Sequence, residues 1–160
     1  MKRVLIPTDF TVQSLQLIDY AILNFPNDIL DIILISGFEL NENLWSMRNY
    51  SEQREVNKLC SESYTKAKRI FLREHRDNIE RLHIRLFTGH NNVAFQNFVD
   101  QNALDTAIIA GEGFLQYQQS RAFDSSTYIK ACIKNIIEIP LEQKSSYKNP
   151  QLSISTIYNL

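Results

Sequence analysis

The chain has 160 residues and a formal net charge of −1 at pH 7, with 44% apolar and 22% charged residues. These values fit one soluble globular domain and show no electrostatic sign of a nucleic-acid or acidic-lipid partner. No apolar run approaches the roughly 20 residues of a membrane span, so a membrane protein is not expected.

The N-terminus is apolar only briefly, because Pro7 and Asp9 interrupt it, and no signal peptide is predicted. The two cysteines, Cys60 and Cys132, lie in helix-like segments and are interpreted as reduced thiols rather than as a disulfide or a metal pair. A cytoplasmic location is therefore expected.

Five segments are predicted to be strands. Contiguous apolar residues in Lys2–Pro7, in Asp28–Phe38 and in Thr106–Ala110 are typical of buried parallel strands. Alternation over Ile79–Phe87 predicts an edge strand with one poorly covered face. The last strand is predicted at Asn135–Ile139, before Pro140. Strands separated by helical segments require a parallel sheet with right-handed crossovers.

Four amphipathic segments between these strands are predicted to be helices. The longest is predicted over Glu52–His75, and the last begins at Ser125–Ser126, which would cap it. Residues 39–50 are irregular, and Trp45 and Met47 are interpreted there as lid or interface residues.

The domain is predicted to span residues 1–141, and residues 142–160 form a tail. Two interpretations of the tail stay open, a disordered end or an added strand against a sheet edge or a partner subunit. The second rests on alternating residues in its last part, namely Leu152, Ile154, Thr156, Tyr158 and Leu160.

The stretch from Ala107 to Ser126 stands out chemically. Two of the chain's four glycines, Gly111 and Gly113, follow an apolar strand, and a polar loop then leads to a helix start at Ser125–Ser126. Strand, glycine turn, loop and helix start is the order in which α/β folds build phosphate sites. The rest of the chain is interpreted as a scaffold that presents this loop.

Other constellations give no catalytic or metal site. The histidines His75, His83 and His90 have no metal-ligand spacing, and no Ser-His-Asp or Cys-His pattern is suggested by local spacing. Basic residues of the longest helix are interpreted as a solvated face, because acidic residues lie among them. These basic residues are Lys66, Lys68, Arg69, Arg73 and Arg76.

Four motifs that follow one another along the chain resemble the universal stress protein family over about residues 2–141. Val4–Phe10 looks like the family's first strand and turn, and Gly89 falls where the family has a glycine after its third strand. Asp105–Gly111 is similar to its fourth strand, and Ile136–Pro140 matches its closing strand. The resemblance implies an α/β fold with a five-stranded parallel open sheet, strand order 3-2-1-4-5, and helices on both faces.

The family resemblance also implies, in many members, a dimer formed by pairing of the last strands. The apolar residues of Asn135–Ile139 lead to the same expectation, because an unpaired apolar edge strand invites pairing. A homodimer through this edge is therefore predicted, and a further protein partner is compatible with it.

ATP-binding members of the family carry the pattern G-x2-G-x9-G-[ST]. On this chain the pattern begins at Gly111 and ends at Ser125, but Phe114 and Asp124 stand in place of its second and third glycines. Glycines let backbone amides approach phosphate, and a carboxylate ~4 Å from a phosphate charge repels it by roughly 4 kcal/mol at an effective dielectric of 20. Gly113 could replace a missing glycine in part through a shifted turn.

Three further positions bear on a nucleotide. Asp9 remains where the family places an aspartate near the nucleotide, although it could equally cap the following helix. Ser36–Gly37 replaces the His-Val pair whose valine contacts adenine in many members. The loop is aromatic, which suits packing or a protein contact better than phosphate; its rings are Phe114, Tyr117 and Phe123.

The first hypothesis is a non-catalytic universal-stress-protein-like domain without tight ATP binding and without a cofactor, acting in a stress response through homodimerisation or a partner. The alternative is a stress sensor that binds ATP or another adenine nucleotide through an altered loop. The residues of that vestigial or altered site are Asp9, Gly111, Gly113, Ser125 and Ser126. A hydrolase is disfavoured, because no base, nucleophile or metal set is apparent.

Overall fold

A computed structural model of the protein describes residues 1–40, 43 and 47–141. Five of its strands form a parallel sheet in the order β3-β2-β1-β4-β6, which confirms the predicted α/β fold and strand order. The strands are β1 (Lys2–Pro7), β2 (Leu30–Phe38), β3 (Ile79–Phe87), β4 (Thr106–Ala110), β5 (Ala122–Phe123) and β6 (Asn135–Ile139).

The two-residue strand β5 is an addition that the sequence did not predict. It pairs antiparallel with β2, with Phe123 opposite Gly37 and Ala122 opposite Phe38. The backbone N–H of Glu39 extends this pairing by donating to the carbonyl of Arg121 at 2.8 Å. A two-residue strand has no alternation to detect, so only the pairing itself reveals it.

Helices connect these strands along the chain. They are a 3₁₀ turn (Val12–Leu15), α1 (Gln16–Asn24), α2 (Glu52–Leu59), α3 (Glu62–Glu74), α4 (Asn92–Gln101) and α5 (Ser126–Cys132). The prediction of one helix over Glu52–His75 is wrong, because Cys60 is extended and ends α2. Ser61 then starts α3, since its hydroxyl accepts from the backbone N–H of Tyr64 at 3.1 Å.

The sheet has an apolar core on each face, because successive side chains of a strand point to opposite sides. Along β1, Val4 and Ile6 join the cluster that contains buried residues of α1, α2 and α3. Leu5 joins the other cluster, with buried residues of α4 and α5. Helices on both faces confirm the predicted layers.

The strand order determines where in the sheet the candidate site lies. From β1 the chain moves outward to β2 and β3, and then returns to the other side of β1 for β4 and β6. The loops that follow β1 and β4 therefore leave the sheet in a crevice at its carboxyl edge, where open α/β sheets bind ligands. The predicted tail at 142–160 and Trp45 lie outside the described residues, and Met47 is exposed.

Candidate functional site

The turn after β1 is held by Asp9, whose side chain is buried. Its Oδ1 accepts from the backbone N–H and the hydroxyl of Thr11 at 3.0 and 2.5 Å, and its Oδ2 accepts from the backbone N–H of Gln116 at 2.8 Å. Asp9 is thus not the helix cap; Thr11 caps instead, accepting from the N–H of Ser14 at 3.2 Å. Both carboxylate oxygens are engaged by the chain, and one ties the loop after β4 to this turn.

A chain of buried hydroxyls supports the same turn. The Ser14 hydroxyl donates to the carbonyl of Thr11 at 2.7 Å, so Thr8 must donate to Ser14 at 3.0 Å and Tyr64 to Thr8 at 2.9 Å. Burial raises the pKa of Tyr64, which keeps this phenol a donor. Phe10, which lies between Thr8 and Ser14 in the sequence, has φ 64°. This left-handed conformation is unusual for a non-glycine residue and is found at constrained sites.

Backbone N–H groups of the loop after β4 donate hydrogen bonds to acceptors within the protein. The N–H of Phe114 donates to the carbonyl of Gly111 at 3.2 Å, and the N–H of Gln116 donates to Asp9. At the start of α5, Asp124 Oδ1 accepts from the N–H of Ser126 at 2.9 Å and from its hydroxyl at 2.6 Å. These amides already have acceptors within the protein.

The capping of α5 differs from the expectation. Ser125 occupies the N-cap position, but its side chain makes no capping hydrogen bond, and its hydroxyl is buried with no partner among the described residues. Asp124 takes the capping role through the N–H of Ser126. The serine pair was predicted to cap the helix; the preceding aspartate does so because its carboxylate reaches two residues forward, as in an Asx-turn.

The backbone geometry explains why both predicted site residues, Gly111 and Gly113, are glycines. A Cβ added to Gly111 would lie 2.7 Å from the carbonyl oxygen of Leu141, where the chain passes after β6. Gly113 has φ 85°, which glycine adopts without strain. Their presence is therefore explained by the turn and the close passage of the chain, whether or not a ligand binds.

Aromatic rings from the loop pack toward the sheet. Phe114 is buried in the core cluster of α1, α2 and α3, and Tyr117 packs against the same cluster. The ring of Phe123 covers Gly37 so closely that a Cβ there would lie 2.3 Å from its Cε2 atom. This ring therefore lies on β2 at the position where the family resemblance implied an apolar wall for adenine.

The hydroxyl of Tyr117 is buried and has no hydrogen-bond partner among the described residues. Burial raises its pKa, and the charges of Asp124 and Asp9 raise it further. Tyr117 was expected to pack or to contact a protein. Its position in the sequence could not reveal that its hydroxyl is buried near the carboxylates of Asp124 and Asp9.

A cleft of about 370 Å³ remains at the end of β4. It is lined by both predicted glycines and by Ser126, but Asp9 and Ser125 do not line it. Glu112 and Asp124 contribute two carboxylates, and the cation on its wall, Lys130, lies 3.4 Å from Glu138 Oε1. The charges around the cleft are thus unfavourable to a phosphate group.

Other chemistry-bearing residues are placed as follows. His75 Nε2 lies 3.6 Å from Asp19, and His83 Nδ1 lies 3.8 Å from Asp31. Among the described residues, no group of three histidines, cysteines, aspartates or glutamates could hold a metal ion. In the same part of the chain both cysteine thiols are free, and no helix is long and apolar enough to span a membrane.

No family model matches the sequence, and no curated protein matches it. Solved structures share its fold. Hypothetical protein MJ0577, from a study of structure-based assignment of biochemical function, aligns with a TM-score of 0.54 and 16% identity over 89% of this chain and 98% of that chain.

Two structures of universal stress proteins also align. One, in complex with cAMP, has a TM-score of 0.48 and 12% identity; the other, UspA from Lactobacillus plantarum, has 0.47 and 13%. Each alignment covers 87% of this chain and 97% of the other. These likenesses concern the fold, and the alignment with MJ0577 confirms the predicted α/β architecture.

Proposed function

We propose that this chain is a non-catalytic domain with the universal stress protein fold, that it lacks tight ATP binding, and that it acts in a stress response through homodimerisation or a protein partner. The observation that carries the proposal is the use of the loop amides: Phe114, Gln116 and Ser126 donate to acceptors of the chain itself. A phosphate site needs amides that are free to face the anion.

Electrostatics supports the same proposal. A phosphate in the cleft would meet Glu112 and Asp124, and would have to compete with Glu138 for Lys130. Each like charge at ~4 Å costs about 1 kcal/mol in water and about 4 kcal/mol at an effective dielectric of 20. A triphosphate carries several such charges, so the repulsion opposes its binding.

The alternative is a nucleotide-binding stress sensor with an altered loop, and two observations favour it. The hydroxyl of Ser125, at the start of α5, is fully buried and has no partner among the described residues. Lys130 and Glu138 have exposed side chains, so their ion pair is weak enough for Lys130 to turn toward an anion.

Native mass spectrometry of the protein as purified, followed by calorimetric titration with ATP, ADP, AMP and cAMP, tests the two functions. The proposal predicts no nucleotide adduct and no heat of binding at micromolar concentrations. An adduct of nucleotide mass, or micromolar binding of any of the four, would overturn it in favour of the sensor.

Two variants of one residue identify the cause of weak binding. Asp124→Gly removes the charge and also frees the N–H of Ser126, whereas Asp124→Asn removes the charge and keeps a capping acceptor. If occupied amides are the main obstacle, only the glycine variant gains nucleotide binding. A gain in both variants would mean that charge is the obstacle.

The homodimer is proposed through β6, which pairs with β4 on one side and is the last strand of the sheet within the described residues. Ile137→Lys should convert a dimer to a monomer in light scattering, because it places a charge on that apolar edge. Ile84→Lys on β3 is the matched control: Ile84 packs against the same core cluster but lies at the opposite edge. A monomeric wild-type protein at micromolar concentration would contradict the proposal.

A further inference from the structure

Helix α3 carries a stripe of cations on its outer face, formed by Lys66, Arg69 and Arg73. All three side chains are exposed. At about 100° per residue they fall within about 60° of one another, opposite Tyr64 and Phe71. Because Tyr64 and Phe71 are buried, the cationic stripe points directly away from the core.

The three side chains of the cationic stripe form no ion pair within the described part of the protein, and the carboxylate of Glu62 lies one turn before Lys66 on the same face. None of the three side chains forms an ion pair or a hydrogen bond with another described residue. Some exposed cations on other elements do have partners, such as Lys58 with Glu55 at 3.6 Å. Like charges one turn apart on a helix repel, so the stripe destabilises α3 in isolation.

A cleft of about 570 Å³ lies at the N-terminal end of the cationic stripe. Its wall contains two cations and one carboxylate, and the lining residues are Cys60, Glu62, Ser63, Thr65, Lys66 and Arg69. The surface therefore offers a recess beside a row of positive charges, about 10 Å long at 1.5 Å per residue.

We propose that the cationic stripe is a docking surface for an acidic segment of a partner protein, with carboxylates three and four residues apart along a helix. This rests on the proposed function, in which the domain acts by binding a partner. Carboxylates at that spacing lie on one face of a helix and match the spacing of Lys66, Arg69 and Arg73.

A membrane surface fits these observations less well. The exposed large apolar residues of the described chain are Met1, Leu23, Ile29, Met47 and Val93, and none is on α3. An interfacial helix needs such residues to insert. Nucleic acid fits less well too, because the chain's net charge is −1 and gives no broad positive field for a polyanion.

The test uses two fluorescent peptides of about 20 residues, long enough to be helical. In one, glutamates recur every third and fourth residue on one face; in the other, the same glutamates are spread around the helix. Fluorescence anisotropy with the full chain should show tighter binding of the first peptide, and binding should weaken between about 50 and about 300 mM salt.

The decisive variant is Lys66→Glu/Arg69→Glu/Arg73→Glu. Its control is Arg48→Glu/Lys58→Glu/Lys134→Glu, which changes the net charge equally at exposed positions on other elements. The stripe variant should bind the one-faced peptide at least about tenfold more weakly, as expected for three exposed ion pairs, and the control less than about threefold. Circular dichroism checks that both variants are folded.

Several outcomes would overturn the inference. These are equal losses in the two variants, no preference between the peptides, no peptide binding by the wild-type protein, or tighter binding to duplex DNA or to phosphatidylserine vesicles. Nucleotide binding is measured separately, so ATP binding would overturn the proposed function and leave the peptide result to be judged on its own.

Discussion

The two turns at the carboxyl edge of the sheet lie side by side and are built differently. After β1, the hydroxyls of Thr8, Ser14 and Tyr64 form one ordered chain, and both oxygens of Asp9 have donors. After β4, Tyr117 buries a hydroxyl that has no partner within the described residues. The first turn is held by hydrogen bonds. The second is held by the packing of its aromatic rings and by the hydrogen bond from the N–H of Gln116 to Asp9 in the first turn.

This difference indicates which turn tolerates change. A fully satisfied buried network is costly to disturb, because each lost partner leaves a buried polar group behind. A buried hydroxyl without a partner is already unfavourable, so replacing it costs little. We therefore expect substitutions in the turn after β1 to destabilise the protein more than comparable substitutions in the loop after β4.

The largest effect is expected from Asp9→Ala. It removes the acceptor for Thr11 and Gln116 together, and hydrogen bonds to a buried charged group contribute about 1.5–3 kcal/mol each. The free energy of unfolding in urea should fall by about 3 kcal/mol or more. Asp28→Ala, at an exposed aspartate, should change it by less than about 0.5 kcal/mol. Equal effects would remove the distinction between the turns.

Gly37→Ala should come next, with a loss of about 1–3 kcal/mol from overpacking against Phe123. The contact joins β2 to the loop after β4, so the variant tests whether packing holds that loop. If it does, Phe123→Ala in the Gly37→Ala background should recover part of the loss in a double-mutant cycle. Strictly additive losses would show that the ring and the glycine are not coupled.

Tyr64→Phe should cost about 1–1.5 kcal/mol, because it deletes the donor at the head of the hydroxyl chain and leaves the ring in place. Thermal or urea unfolding measures the change. Thr8→Val should cost at least as much, since it removes the middle of the same chain. A negligible change in both variants would contradict the hydrogen-bond account of this turn.

The smallest effect, with the opposite sign, is expected from Tyr117→Phe. The same chemical change here removes a buried hydroxyl without a described partner, so the free energy of unfolding should stay constant or rise by up to about 1 kcal/mol. Comparing the two Tyr→Phe variants under identical conditions is the sharpest test. A loss at Tyr117 as large as at Tyr64 would mean that its hydroxyl has a partner after all.

Much of the fold could be predicted because its signals are local. The bounds of Ile79–Phe87 and Asn135–Ile139 follow from short apolar or alternating patterns, and the structure has the same bounds. The break at Cys60 could not be predicted in this way, since the apolar stripe continues across it. Ser61 interrupts the helix through a hydrogen bond that the periodicity does not reveal.

The candidate site was predicted only in part. Gly111, Gly113 and Ser126 do line one cleft, as expected from the strand, turn and helix order. The roles of Asp9 and Asp124 differ from the expectation, because each accepts amides of the chain itself. A carboxylate near a glycine loop has the same appearance in a sequence whether it faces a ligand or a backbone N–H.

The amino-acid sequence by itself determined the five parallel strands and their alternation with helical segments, because apolar periodicity over a few residues decides both. Only the tertiary structure decided how the crevice is filled. Asp9 and Gln116 are 107 positions apart, and Gly37 meets Phe123 from a distant loop. Such contacts form because the sheet brings segments that are far apart in the sequence next to each other. A local sequence pattern carries no information about which distant segments will meet.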